Sequence, residues 1–90
     1  MSTGNRCTHL NQVRNPPPQA GSDPVCEDCI KAGGQWVHLR ICLTCGHVGC
    51  CDSSPSRHAR RHAAEHKHPV IASAEPGEEW RWCYVDDAYV

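Results

Sequence analysis

The sequence predicts a small α+β fold: a short antiparallel sheet, one main helix and long loops, held by internal cross-links because the apolar core is too small to do so. Three observations predict it. Ninety residues with no Phe and 39% hydrophobic content can bury only a modest core. Eight Cys and seven His supply cross-linking groups in excess of anything packing requires. Short alternating apolar runs, with a single well-delimited helical stretch between them, supply the elements.

The chain reads as one domain over residues 1–90. Residues 14–24 include Pro16, Pro17 and Pro18, which remove amide donors and fix φ, so this stretch is a surface loop. After a turn at Gly33 and Gly34, residues 36–42 alternate, with Val37, Leu39 and Ile41 on one face and Trp36, His38, Arg40 and Cys42 on the other. This predicts the first strand. Residues 45–50 hold small side chains between Cys45 and Cys50, as a tight metal knuckle requires. Residues 54–66 predict the helix, with Ser54 as N-cap, Pro55 in the first helical position and Pro69 enforcing the stop. Residues 69–73 and 80–85 predict an antiparallel pair joined by a turn at 75–78. Along its second strand Trp80, Trp82 and Tyr84 share one face and Cys83 takes the other.

The cross-links are read as metal rather than disulfide. Residues 1–6 carry no apolar stretch resembling a secretory leader, so a reducing, cytoplasmic setting is the expectation. There, Cys26-x-x-Cys29 and Cys42-x-x-Cys45 with histidines nearby are zinc ligands. Two or three Zn²⁺ ions are expected. No apolar run is long enough to span a membrane. A net charge of −1 gives no bulk attraction to nucleic acid. His58 and His62 lie one helical turn apart on one face, able to serve neighbouring ions or a single one, and His66 continues that face. His38 and His47 read as ordinary strand and turn histidines, and Cys51 as a small buried thiol.

The ordered string Cys7-x-His9, Cys26-x-x-Cys29, Cys42-x-x-Cys45, Cys50, His58, His62, His68-Pro69 and Trp82-Cys83-Tyr84 resembles the ubiquitin-protease-type (UBP-type) zinc finger. That family occurs in deubiquitinases, some ubiquitin ligases and a cytoplasmic histone deacetylase. The resemblance implies three sites. Cys26, Cys29, Cys50 and His58 form the first; Cys42, Cys45, His62 and His68 form the second, with His66 competing with His68. Cys7, His9 and Cys83 form the third, completed by Asp86 where the family usually has another Cys.

The family grips the free C-terminal Gly-Gly of ubiquitin. By resemblance, the pocket residues here are Trp36, Trp82 and Tyr84, with Asp87 placed to hold a backbone amide. The family's carboxylate-clamping Arg does not map, because this chain has Asp52 where the family reads Arg after Cys-Gly. A carboxylate there repels the peptide's own, so ubiquitin-tail binding in the usual mode is not expected. Arg40 is the substitute on offer.

The expected function is therefore a non-catalytic zinc-binding interaction module, a monomer that recognises a protein or peptide terminus through an aromatic pocket. The alternative is nucleic-acid binding through the basic helix over 55–66, where Arg57, Arg60 and Arg61 precede Lys67. An enzyme is not expected, because the helix lacks a His-Glu-x-x-His arrangement and the ligand shells are thiolate-rich.

Overall fold

A computed structural model describes residues 8–21, 23–75 and 77–90. A 3-10 turn over Thr8–Gln12 is followed by α1 (Glu27–Ala32), β1 (Leu39–Cys42), β2 (Val48–Cys50), α2 (His58–His66), β3 (Val70–Ser73), β4 (Arg81–Cys83) and β5 (Ala88–Tyr89). The strands form one antiparallel sheet in the order β2-β1-β3-β4-β5.

Residues paired across antiparallel strands point to the same side, so the register sorts the side chains into two faces. Leu39, Ile41, Val70, Ala72 and Cys83 share one face. There Ile41, Leu43, Val70 and Cys83 are buried beneath Leu10, Val13 and Ala20 of the N-terminal segment. That segment is tied down by Arg14 N donating to Leu43 O at 2.8 Å and Thr44 Oγ1 donating to Gln12 O at 2.7 Å. The described residues of the proline-rich stretch 14–24 form neither helix nor strand.

The other face carries Arg40, Gly49, Ile71, Trp82 and Tyr89. Helix α2 lies over β2 and β1 on this side, burying Ala59 and Ala63. It comes so close at Gly49 that a Cβ there would meet Ala59 N at 2.7 Å and Ala59 Cα at 3.0 Å. These are backbone atoms, which cannot swing aside. The sheet beyond β1 is left with an aromatic surface that α2 does not cover.

Two elements begin later than their sequence expectations. The first strand begins at Leu39 rather than Trp36, because the preceding backbone is bonded outside the ladder. Val37 N donates to Ser54 Oγ at 2.8 Å, and His38 O accepts from Cys51 N. The helix begins at His58 rather than at Ser54–Pro55. Ser54 is buried and holds Val37 instead of capping, while Arg57 takes a left-handed conformation with φ 49° and makes no side-chain cap. The amide of His58 donates to Cys50 Sγ at 3.1 Å, so a sulfur receives one of the helix's unpaired N-terminal donors.

The stop before Pro69 is as expected: Lys67 is left-handed and its N–H returns to Ala63 O. Helix α1 and strands β2 and β5 were not predicted, being only six, three and two residues long.

Replacing Gly49 by Ala is expected to lower stability by about 1–3 kcal/mol, the usual cost of forcing atoms into a filled interface. Gly34→Ala serves as the control, since its Cβ would meet nothing closer than Cys29 O at 3.9 Å. Thermal unfolding of the two zinc-loaded variants checks the contrast: equal midpoints would contradict the close packing of α2 on β2.

Candidate metal centres and aromatic groove

The side chains of Cys26, Cys29, Cys50 and His58 converge where α1, β2 and the start of α2 meet. Cys26 precedes α1 and its sulfur accepts from Cys29 N at 3.4 Å, so this Cys-x-x-Cys spacing is also a helix cap. Gly33 closes α1 in the left-handed conformation, at φ 73°. Cys29 Sγ lies 3.7 Å from Cys50 Sγ, and His58 Nδ1 lies 3.4, 3.3 and 3.4 Å from the sulfurs of Cys26, Cys29 and Cys50.

A tetrahedral zinc with ordinary bond lengths separates its sulfurs by roughly 3.8 Å, and a sulfur from a nitrogen by about 3.6 Å. The donor set fits such an ion. Burial, followed by the neighbouring Cys26 and Cys50, pushes the Cys29 thiol up to about 12. Three crowded buried sulfurs cannot all carry charge without a cation among them.

A second cluster joins Cys42 of β1, Cys45 of the β1–β2 turn, His62 of α2 and His68 just beyond it. Cys42 Sγ lies 3.6 Å from His68 Nδ1, and Cys45 Sγ lies 3.3 Å from His62 Nε2. Gly46, at φ 87°, permits the turn after Cys45. Burial first, then the neighbouring His47, His66 and His68, lowers His62 to about 4, so its imidazole is neutral at pH 7, as metal ligation requires.

His66 stacks near His62 and His68 but is not in this donor group. His47 is more than an ordinary turn residue. Its ring stacks on His62 at 4.5 Å, and its Nε2–H donates to the Asp28 carboxylate at 2.8 Å.

The third cluster contains His9, Cys83 and Asp86. His9 Nδ1 lies 3.4 Å from Cys83 Sγ and 3.3 Å from Asp86 Oδ2. Cys7, expected to complete it, lies outside the described residues. The seven described cysteines are all thiols, and Cys51 is buried beside Ser54 Oγ at 3.6 Å.

On the sheet face beyond α2, a groove of about 230 Å³ is lined by Arg40, Cys51, Asp52, Ser53, Ile71, Trp80, Trp82, Tyr84 and Tyr89. Period-two alternation places Trp80, Trp82 and Tyr84 together. Tyr89 comes from β5, and its ring meets Trp80 and Trp82 edge-on at 5.8 and 4.9 Å. Arg40 lies over the Trp80 ring at 4.6 Å, with Nη1 donating to Leu39 O at 2.9 Å. Burial, together with the charge of Asp52, pushes the Tyr84 hydroxyl up to about 12, keeping it neutral.

Of the pocket residues expected from sequence, Trp36 and Asp87 do not line this groove, and Asp52, outside that set, is not a lone charge. Trp36 packs against Cys26, Cys29, Leu39 and Cys50 rather than on the groove wall, because the chain enters β1 only at Leu39. Asp87 occupies the β4–β5 turn at φ 54° and donates its own amide to Cys83 O. Asp52, expected to repel, is paired with Arg60 of α2. Tyr89 and Trp80 are groove residues that the reading did not single out. Trp80 was legible from the strand alternation, whereas the two-residue β5 left no periodic signal.

No helix among the described residues is long and apolar enough to cross a membrane. Residues 26–90 match the family described as "Zn-finger in ubiquitin-hydrolases and other protein". The chain is 41% identical over 69 residues to the NAD-dependent deacetylase sir2A of Dictyostelium discoideum, covering 72% of this chain and 11% of that protein. It is 39% identical over 69 residues to the human BRCA1-associated protein, covering 76% of this chain and again 11% of that protein. It thus spans only about a tenth of the length of these curated relatives. A Rhodopseudomonas palustris protein solved by solution NMR superposes with a TM-score of 0.77 at 49% identity, over 99% of this chain and 82% of that one. With the donor clusters in place and most of its length matched, the chain belongs to the UBP-type zinc-finger family.

Proposed function

We propose that this chain is a zinc-built protein-interaction module that takes a peptide segment of its partner into the aromatic groove. The observation that carries this reading is the groove itself: four aromatic side chains and Arg40 gathered on the part of the sheet that α2 leaves open. Aromatic walls offer large contact area at small cost in side-chain entropy, and recognition sites are built from such surfaces. Arg40 has donors beyond those engaged by Leu39 O and Ser73 Oγ, and these suit the carbonyl groups of an extended peptide. Trp82, Tyr84, Trp80 and Tyr89 form the apolar contact, and Asp87 acts through the turn that sets Tyr89 in place.

In this reading Zn²⁺ is structural. Cys26, Cys29, Cys50 and His58 hold one ion; Cys42, Cys45, His62 and His68 hold a second; Cys7, His9, Cys83 and Asp86 hold a third. Bound zinc replaces the thiol protons and fixes distant segments to one another. Four protein donors at a site leave no position for a reacting water, which favours an interaction domain over an enzyme. The module acts as a monomer in a reducing compartment. The basic helix is the weaker surface for nucleic acid, since Arg60 is committed to Asp52 and stacks on Tyr84.

Zinc removal tests the scaffold. Each structural ion contributes on the order of 10 kcal/mol of folding free energy, comparable to the whole stability of a small domain. Exhaustive chelation is expected to abolish the cooperative thermal transition, and an unchanged melting profile would refute zinc as the scaffold. Native mass spectrometry should count three ions, and Asp86→Ala should reduce the count to two; an undiminished count removes Asp86 from the third site.

Titration with extended peptides, followed through the indole N–H signals, tests the groove. Trp80 and Trp82 are expected to shift while Trp36 stays fixed. Arg40→Ala should weaken binding about tenfold, the value of one or two charge-assisted hydrogen bonds. Shifts confined to Trp36, or binding indifferent to Arg40, would place the partner on another surface.

A further inference from the structure

Asp52 lines the groove, and its carboxylate is already engaged. Arg60 Nε lies 3.0 Å from both of its oxygens and Arg60 Nη2 lies 2.6 Å from Oδ2. The same guanidinium stacks over the Tyr84 ring at 4.7 Å. The pair therefore connects the turn after β2, the first turn of α2 and the aromatic wall. Both partners are close to half exposed, and an exposed pair of this kind adds little to folding stability. Its placement on the groove wall calls for a different account.

The geometry points to Asp52 as the specificity-determining residue of the groove: from within the chain, it occupies the position on Arg60 that a ligand carboxylate would otherwise take. This rests on the groove reading given above. A guanidinium grips a carboxylate through two N–H donors of one fork, whether the carboxylate belongs to a side chain or to a chain terminus. Arg60 does not itself line the groove; it stands behind the Asp52 carboxylate and over Tyr84, both of which do, so loss of that carboxylate opens the groove to the fork. Stacking on Tyr84 fixes the plane of that fork. An internal carboxylate competes at the high effective concentration of an intramolecular partner, so a peptide's terminal carboxylate finds the fork taken and meets a like charge beside it. The groove is thereby directed to internal or blocked segments of a partner chain, which place amides rather than a free carboxylate against this wall. The remaining lone pairs of Asp52 suit the N–H donors of such a segment.

The test compares two peptides of identical sequence ending in Gly-Gly, one with a free carboxylate and one amidated, titrated into the zinc-loaded chain. Three proteins are used: the unaltered chain, Asp52→Ala, and Asp52→Ala combined with Arg60→Ala. The unaltered chain is expected to favour the amidated peptide. Asp52→Ala should prefer the free carboxylate by about tenfold more than the unaltered chain does, and the double variant should lose that gain. If the unaltered chain binds neither peptide while Asp52→Ala captures the free one, the groove's natural use as a peptide site fails and the inference about Asp52 stands. The inference is overturned if Asp52→Ala, with circular dichroism and zinc count intact, gains no preference for the free carboxylate. It is equally overturned if the gain survives loss of Arg60.

Discussion

The convergence of Cys26, Cys29, Cys50 and His58 is the constraint on which the other features depend. It fixes α1 to the sheet edge, sets where β2 ends and determines where α2 begins, since Cys50 sulfur receives the first amide of that helix. The chemistry is demanding because three buried sulfurs repel one another as thiolates. A divalent cation among them removes that repulsion. Trp36 and Leu39 then pack around the cluster and exclude water from it.

The placement of α2 follows from that starting point and from Gly49. With no side chain between helix and strand, α2 settles directly onto β2, and His62 comes within 3.3 Å of Cys45. His47 steadies the arrangement from the opposite side of the ring, braced by Asp28 beside Cys29. The groove is what remains of the sheet face once α2 has taken its share, so the position of the metal clusters also decides where the aromatic surface lies.

Much of this was legible in the sequence, for physical reasons specific to each residue. Metal donors announce themselves because few other demands place Cys and His at such spacings, and the described donors converge in the predicted groupings. Strand alternation placed Trp80, Trp82 and Tyr84 on one face for the same reason that Cys83 is on the other. What failed were features decided by tertiary competition. Ser54 has the chemistry of a cap, but the Val37 amide was the better-placed donor. Trp36 continues the alternation of β1 on paper, yet its ring is drawn to the cysteine cluster. Asp52 reads as a lone repulsive charge until α2 brings Arg60 against it. No local pattern encodes an ion pair made between a turn and a helix eight positions on.

The order of the donors along the chain has a topological meaning. The first cluster draws from residues 26 to 58 and the second from 42 to 68, so the two loops they close overlap from Cys42 to His58, a stretch that holds the β1–β2 turn and β2. Neither loop is nested within the other, and neither can be excised as a self-contained finger. Closing one brings the ends of the other nearer and reduces the chain entropy still to be lost. The two ions thus act less like separate rivets than like the crossing turns of a single lashing, in which each turn is held by the other. A cut anywhere between Cys42 and His58 opens both loops at once.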